Sequence, residues 1–156
     1  NFGLGQKDST EKIYIDRSNY GNSSLSKGMM GLSKHKKYTF EKIKIKSVPN
    51  FFKKIRKEIE GKNLIIKIDV QLYDELIFSL IPEKVIAKTD LVCLELTRKQ
   101  NLNIPKISLQ KFRRNVKSFK KVWSDHLGKI SPEYLIEITY GNKKIKDIET
   151  DIYLSK

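Results

Sequence analysis

Two sets of side chains in this sequence are spaced so that they could do chemistry. The first is cationic. Arg113, Arg114, Lys117, Lys120 and Lys121 recur at the spacing of one helix face, and Lys34, Lys36 and Lys37 form a short basic run around His35. Cations held on one side of a rigid element neutralise successive phosphates and release their counterions, which is the main source of affinity for nucleic acid. The two arginines also suit hydrogen bonding to base edges if the helix enters a major groove. The second set is acidic: Asp69 ends one strand-like run, and Asp90 and Glu95 sit in the next. Carboxylates offered by neighbouring strands are the usual holders of a divalent ion in metal-assisted hydrolysis of phosphodiesters.

The acidic set carries a resemblance. The segment Lys88-Thr89-Asp90-Leu91-Val92-Cys93-Leu94-Glu95-Leu96-Thr97 is loosely similar to restriction-endonuclease-like nucleases, whose hairpin bears an Asp and then Glu-x-Lys. The similarity covers about ten residues, and Thr97 stands where the lysine belongs. It implies a magnesium-dependent nuclease acting through Asp69, Asp90 and Glu95, with magnesium as the one cofactor. If Asp90 and Glu95 share a strand, their side chains point to opposite faces. Without this reading no cofactor is expected. His35 and His126 are too far apart in sequence to suggest a metal pair, and a single cysteine, Cys93, excludes a cysteine zinc cluster and an internal disulfide. Cys93 is expected to be a buried thiol.

The elements that must position these residues follow from periodicity. Val116, Phe119 and Trp123 fall within about 40° of Phe112 at 100° per residue, so a helix is expected from Ser108 to Leu127, capped by Ser108 and stopped by Gly128. Its five cations then occupy the opposite side. A shorter helix is expected over Phe51 to Glu60, between Asn50 and Gly61. Strands are expected at Lys12 to Asp16, Tyr38 to Lys46, Leu64 to Val70 and Val85 to Thr97, and in a hairpin of Tyr134 to Tyr140 and Lys143 to Leu154 turning at Gly141-Asn142. Tyr73 to Ile81 fits either a helix or a buried strand.

The fold class implied is α+β: a mostly antiparallel sheet packed by two amphipathic helices, with a Gly/Ser/Asn-rich N-terminal arm. Residues 1–37 are expected to be that flexible arm, or the end of a preceding domain, and residues 38–156 a single α+β domain. The glycines of the first stretch are not followed by Gly-Lys-Ser/Thr, so they do not make a phosphate loop.

Composition then bounds the function. The chain has 156 residues with 32 Lys+Arg against 18 Asp+Glu, a formal charge of +14. Residues 1–50 carry 10 cations and 4 anions, residues 51–100 carry 10 and 8, and residues 101–156 carry 12 and 6. The surplus therefore sits at the two ends, as a binding surface would place it, although 27 of the cations are lysines and part of the excess is compositional background. No run of about 18 apolar residues is present, so no membrane span or membrane partner is expected. With no secretory signal and one cysteine, the cytoplasm is the expected location. The expected function is phosphate-directed binding of DNA or RNA, possible as one domain of a larger nucleic-acid-processing protein. The alternatives are the nuclease and a structural or interaction module that meets an acidic partner.

Overall fold

A computed structural model describes residues 1–17, 23–25, 38–70, 72–98, 108–140 and 148–156. They form a mixed α+β fold with two sheets. The strands are β1 (Gly3–Gly5), β2 (Ser9–Asp16), β3 (Tyr38–Ser47), β4 (Leu64–Ile68), β5 (Thr89–Arg98), β6 (Lys121–Ser124), β7 (Gly128–Ile130) and β8 (Ile148–Ser155). The helices are α1 (Val48–Lys54), α2 (Asp74–Leu80), α3 (Glu83–Ile86), α4 (Leu109–Lys117) and α5 (Pro132–Tyr140).

The three-stranded sheet has the order β1-β3-β2, with β1 parallel and β2 antiparallel to β3. Residues 3–16 of the expected arm thus belong to a sheet, and Lys34, Lys36 and Lys37 lie outside the described residues. Glycine lets β1 approach closely: a Cβ at Gly5 would stand 2.6 Å from the Ile45 side chain. Asp8 ties the β1–β2 turn to the end of β3, accepting from the Ser47 N–H at 2.6 Å and from the Asn50 amide at 3.2 Å.

The five-stranded sheet has the order β4-β5-β8-β6-β7. It is mixed rather than mostly antiparallel, because β4 runs parallel to β5. The connection that makes this possible is α2 with α3, a crossover of the kind parallel neighbours require. One face is covered: Val92, Leu94 and Leu96 of β5, Ile152 and Leu154 of β8 and Val122 of β6 pack in one cluster with Phe78, Phe112, Val116 and Leu135 from the helices. The Phe78 and Phe112 rings meet edge to face at 5.6 Å.

Four expected elements are corrected. The helix over 108–127 is α4 followed by β6. Ser108 does cap it, its Oγ accepting the Lys111 N–H at 3.4 Å, but the helix ends at Lys117. From 121 the burial period becomes two: Val122 and Ser124 are buried while Lys121 and Trp123 are exposed. Pairing with β8 overrides the helical period, and the Lys120 N–H already donates to the Ser155 carbonyl at 3.0 Å. Gly128, with φ +68°, serves the β6–β7 turn and not a helix end.

The strand expected over Tyr134 to Tyr140 is helix α5, which removes the first strand of the expected hairpin, while Gly141-Asn142 lie outside the described residues. Ser131 and Pro132 start the helix: the Ser131 Oγ accepts the Tyr134 N–H at 3.0 Å, and Pro132 occupies the first helical position, where its missing N–H costs nothing. Finally, β5 begins at Thr89 because Glu83–Ile86 is helical, and α1 is a helix of seven residues capped by Ser47 with turns beyond it. Tyr73 to Ile81 resolves as helix α2.

Candidate nucleic-acid interface

The expected basic ridge is broken up by the end of α4. Arg114 is committed to the fold. Its Nε and one terminal nitrogen donate to the Asn115 Oδ1, both at 3.1 Å, and its other terminal nitrogen stands 3.8 Å from Glu83. Asn115 is fully buried and turns its amide onto the carbonyls of Phe78 at 2.7 Å and Ile81 at 3.2 Å. Those carbonyls lie at the C-terminal end of α2, where carbonyls run short of helical donors; that of Phe78 also accepts the Ile81 N–H at 3.3 Å. Arg114 therefore orients the side chain that closes α2.

Arg113 and Lys117 line a groove between α4 and α5 together with Glu133 and Glu137. The two acids dilute the positive field there. Lys120 and Lys121 lie past the helix, exposed at the start of β6. The five cations therefore split into one structural group, a mixed-charge groove and a strand edge.

A denser cationic surface sits on the three-stranded sheet. Side chains alternate across a strand, so Phe40, Lys42, Lys44 and Lys46 of β3 share one face. The register sets Tyr14 opposite Phe40, Lys12 opposite Lys42, and Thr10 opposite Lys44. Ile43 and Ile45 point the other way, and so do Glu41 and Glu11, which pair in register with Ile13 and Ile43 respectively. Glu11 and Glu41 are thereby kept off the lysine face, while Asp16, which shares the side of Lys12 by alternation, is buried at its far end. Phe40 is 57% exposed. The Lys12 Nζ stands 4.8 Å from the Phe40 ring centroid, and the Lys46 Nζ stands 3.8 Å from that of Phe2, whose ring lies 6.0 Å from Phe51. These contacts fit the attraction of an ammonium for an aromatic face. Among the described residues none of these four lysines has an ion-pair partner.

The sequence signal for this surface was present: lysine at 42, 44 and 46 alternating with isoleucine at 43 and 45. The same period of two that marks the strand by its isoleucines also marks the lysine face.

The uncovered face of the five-stranded sheet has a different character. One row across the strands runs Lys67, Cys93, Tyr153, Trp123 and Lys129. Trp123 is 53% exposed and Cys93 is half-buried on this face rather than in the core. Burial, with the Asp151 charge next, pushes the Cys93 thiol above its ordinary value, away from nucleophilic use. The adjoining end is acidic. Glu95 pairs in register with Asp151, and the Asp125 N–H donates to the Asp151 carbonyl at 3.2 Å. Glu95 is held above the ordinary carboxylate range by burial first and by the charges of Glu149, Asp69 and Asp151, against a hydrogen bond from the Thr97 hydroxyl at 2.9 Å. Asp69 pairs with Lys67 at 3.1 Å.

Of the three carboxylates considered for a nuclease, Asp69 and Glu95 come to one end of the sheet. Asp90 is exposed near the start of β5, five residues and about 16 Å of strand from Glu95. Thr97, at the position of the family's lysine, hydrogen-bonds Glu95. Among the described residues no group of three or more His, Cys, Asp or Glu is arranged to hold a metal ion.

One further carboxylate is placed with care. Asp74, at the start of α2, is 1% exposed and accepts the Val70 N–H at 3.3 Å and the Glu95 N–H at 3.2 Å. It joins β5 to the chain just past β4, where the β4 ladder has ended. Sequence reasoning did not single it out. Among the described residues no helix is long and apolar enough to cross a membrane. No family model, curated protein or solved structure matches the chain.

Proposed function

We propose that this chain binds nucleic acid, DNA or RNA, by electrostatic docking on phosphates. The observation that carries the reading is the outer face of β2 and β3, where Lys12 stands over an exposed Phe40, Lys42, Lys44 and Lys46 continue in line from it, and Glu11 and Glu41 point away. Successive lysines on β3 stand about 6.8 Å apart, twice the strand rise, and so present charge as a regular line along an extended polyanion. The +14 charge of the whole chain supplies the long-range attraction. Arg113, Lys117, Lys120 and Lys121 add to that field, while Arg114 contributes through the fold.

The test is binding of fluorescently labelled oligonucleotides, followed by anisotropy over a series of salt concentrations. Four phosphate contacts predict a slope of log K against log salt of about −3 to −4. The double variant Lys42→Glu with Lys44→Glu should weaken binding at least about tenfold and make the slope shallower by about 2. Arg113→Glu with Lys117→Glu should have the smaller effect. Absence of binding at low salt, or binding indifferent to Lys42 and Lys44, rules the reading out.

A further inference from the structure

We infer that the nucleic acid taken by the β2–β3 face is single-stranded, with a base stacked on Phe40 and its flanking phosphates on Lys12, Lys42 and Lys44. The inference rests on the nucleic-acid reading and narrows it. The face offers ammonium ions along its length and aromatic rings, Phe40 and Tyr14, together at one end. It carries Thr10, Lys12, Tyr14, Phe40, Lys42, Lys44 and Lys46, and no Asn, Gln or Arg, the side chains best suited, with lysine, to reading base edges in a duplex groove. A ring can recognise a base only through its flat surface, and within a duplex those surfaces are stacked on each other. An unpaired strand exposes them, and stacking on protein aromatics then tolerates any base.

The geometry brings both contacts into one step of the chain. Phe40 is more than half exposed although it is a large apolar side chain, and the Lys12 Nζ at 4.8 Å from its centroid already places a cation over the ring. A base entering at Phe40 would displace that ammonium toward the adjoining phosphate without moving the backbone. From Phe40 to Lys46 the strand extends about 20 Å, so the line of lysines continues past the ring in one direction only. Charge complementarity between four lysines and a phosphate chain is what commits this face to a polyanion with exposed bases.

The experiment compares labelled oligothymidylate and oligouridylate of about ten nucleotides with a duplex of equal length, using the full chain and the variants Phe40→Ala, Phe40→Trp and Lys42→Glu with Lys44→Glu. Because Phe40 is exposed, its replacement should leave thermal unfolding unchanged. The expected result is tighter binding of single strands than of duplex. Phe40→Ala should lose roughly fivefold to a hundredfold for single strands with an unchanged salt slope, and Phe40→Trp should retain the affinity. The two single-stranded arms distinguish DNA from RNA as the preferred source of the same chemistry. Preference for duplex, or a Phe40→Ala variant that binds single strands normally while the lysine variant does not, overturns the stacking platform and leaves the nucleic-acid reading standing. Failure of all oligonucleotides at low salt, together with capture by vesicles containing anionic phospholipid, overturns both.

Discussion

Replacing Asp74 by Asn should favour the variant increasingly as pH rises from acid to alkaline. The Asp74 carboxylate is almost fully buried, and burial is the largest influence on it. The charges of Glu75 and Glu95 act in the same direction, while the N–H groups of Val70 and Glu95 oppose them. The result is a carboxyl raised from 3.8 to about 7. A folded-state value above the unfolded one means that the folded protein holds the proton longer. Stability from this group is therefore fully present below the unfolded value and is lost as pH rises through about 7. A shift of about three units corresponds to about 4 kcal/mol in total, of which about 2–3 kcal/mol falls between pH 5 and pH 8. Asn keeps one acceptor but sets an amide N–H against the second backbone N–H, at a cost of about 1–3 kcal/mol that does not depend on pH. Urea unfolding should thus find Asp74→Asn gaining about 2–3 kcal/mol on the parent between pH 5 and pH 8 and ending the more stable of the two. Groups that do not interact with Asp74 cancel in the difference. If the difference between the two proteins stays constant from pH 5 to pH 8, the reasoning about Asp74 is refuted.

Two further predictions concern other faces of the molecule. Asn115→Ala removes both donors from the Phe78 and Ile81 carbonyls at a fully buried site, so urea unfolding should show a loss of about 2–4 kcal/mol, and a loss under about 1 kcal/mol would show that α2 ends without this contact. Trp123 is the sole tryptophan and lies beside the acidic end of the five-stranded sheet, so its fluorescence should stay unchanged as oligonucleotide saturates the protein; strong quenching would place the ligand on that sheet instead.

What the sequence disclosed depended on whether local period and tertiary pairing agreed. Tyr38 to Lys46 is a strand by its own alternation, and the β3 that forms there has nearly those bounds. At 119–123 the two disagree. Phe119 is buried as a helical stripe would bury it, but β8 offers backbone partners from Ser155 to Ile152, and pairing with them sends Val122 inward and Trp123 outward. At 134–140 the apolar and β-branched residues favour a strand, while the Ser131-Pro132 start signal favours a helix, and the capping signal marks the observed element. The α+β class survives these exchanges because each lost strand or helix is replaced by an element that still buries one face.

The candidate surfaces differ in legibility for a related reason. The lysine face of β3 is written in five consecutive residues and needs only the strand to be recognised. The acidic end of the larger sheet draws Asp69, Glu95, Asp125 and Asp151 from four segments of the chain, and only the register of β8 against β5 and β6 brings them together. That register decides how the two faces divide the work. Both carry exposed aromatic residues, Phe40 on one and Trp123 with Tyr153 on the other, so rings alone do not select a site for a polyanion. Charge does. On the small sheet Glu11 and Glu41 point away from the lysines, and each phosphate meets attraction. On the large sheet a phosphate near Trp123 approaches a carboxylate row, whose mutual repulsion adds to burial in raising Glu95. The nucleic-acid reading therefore predicts a ligand held by β2 and β3, and an aromatic face of the larger sheet that the same ligand avoids.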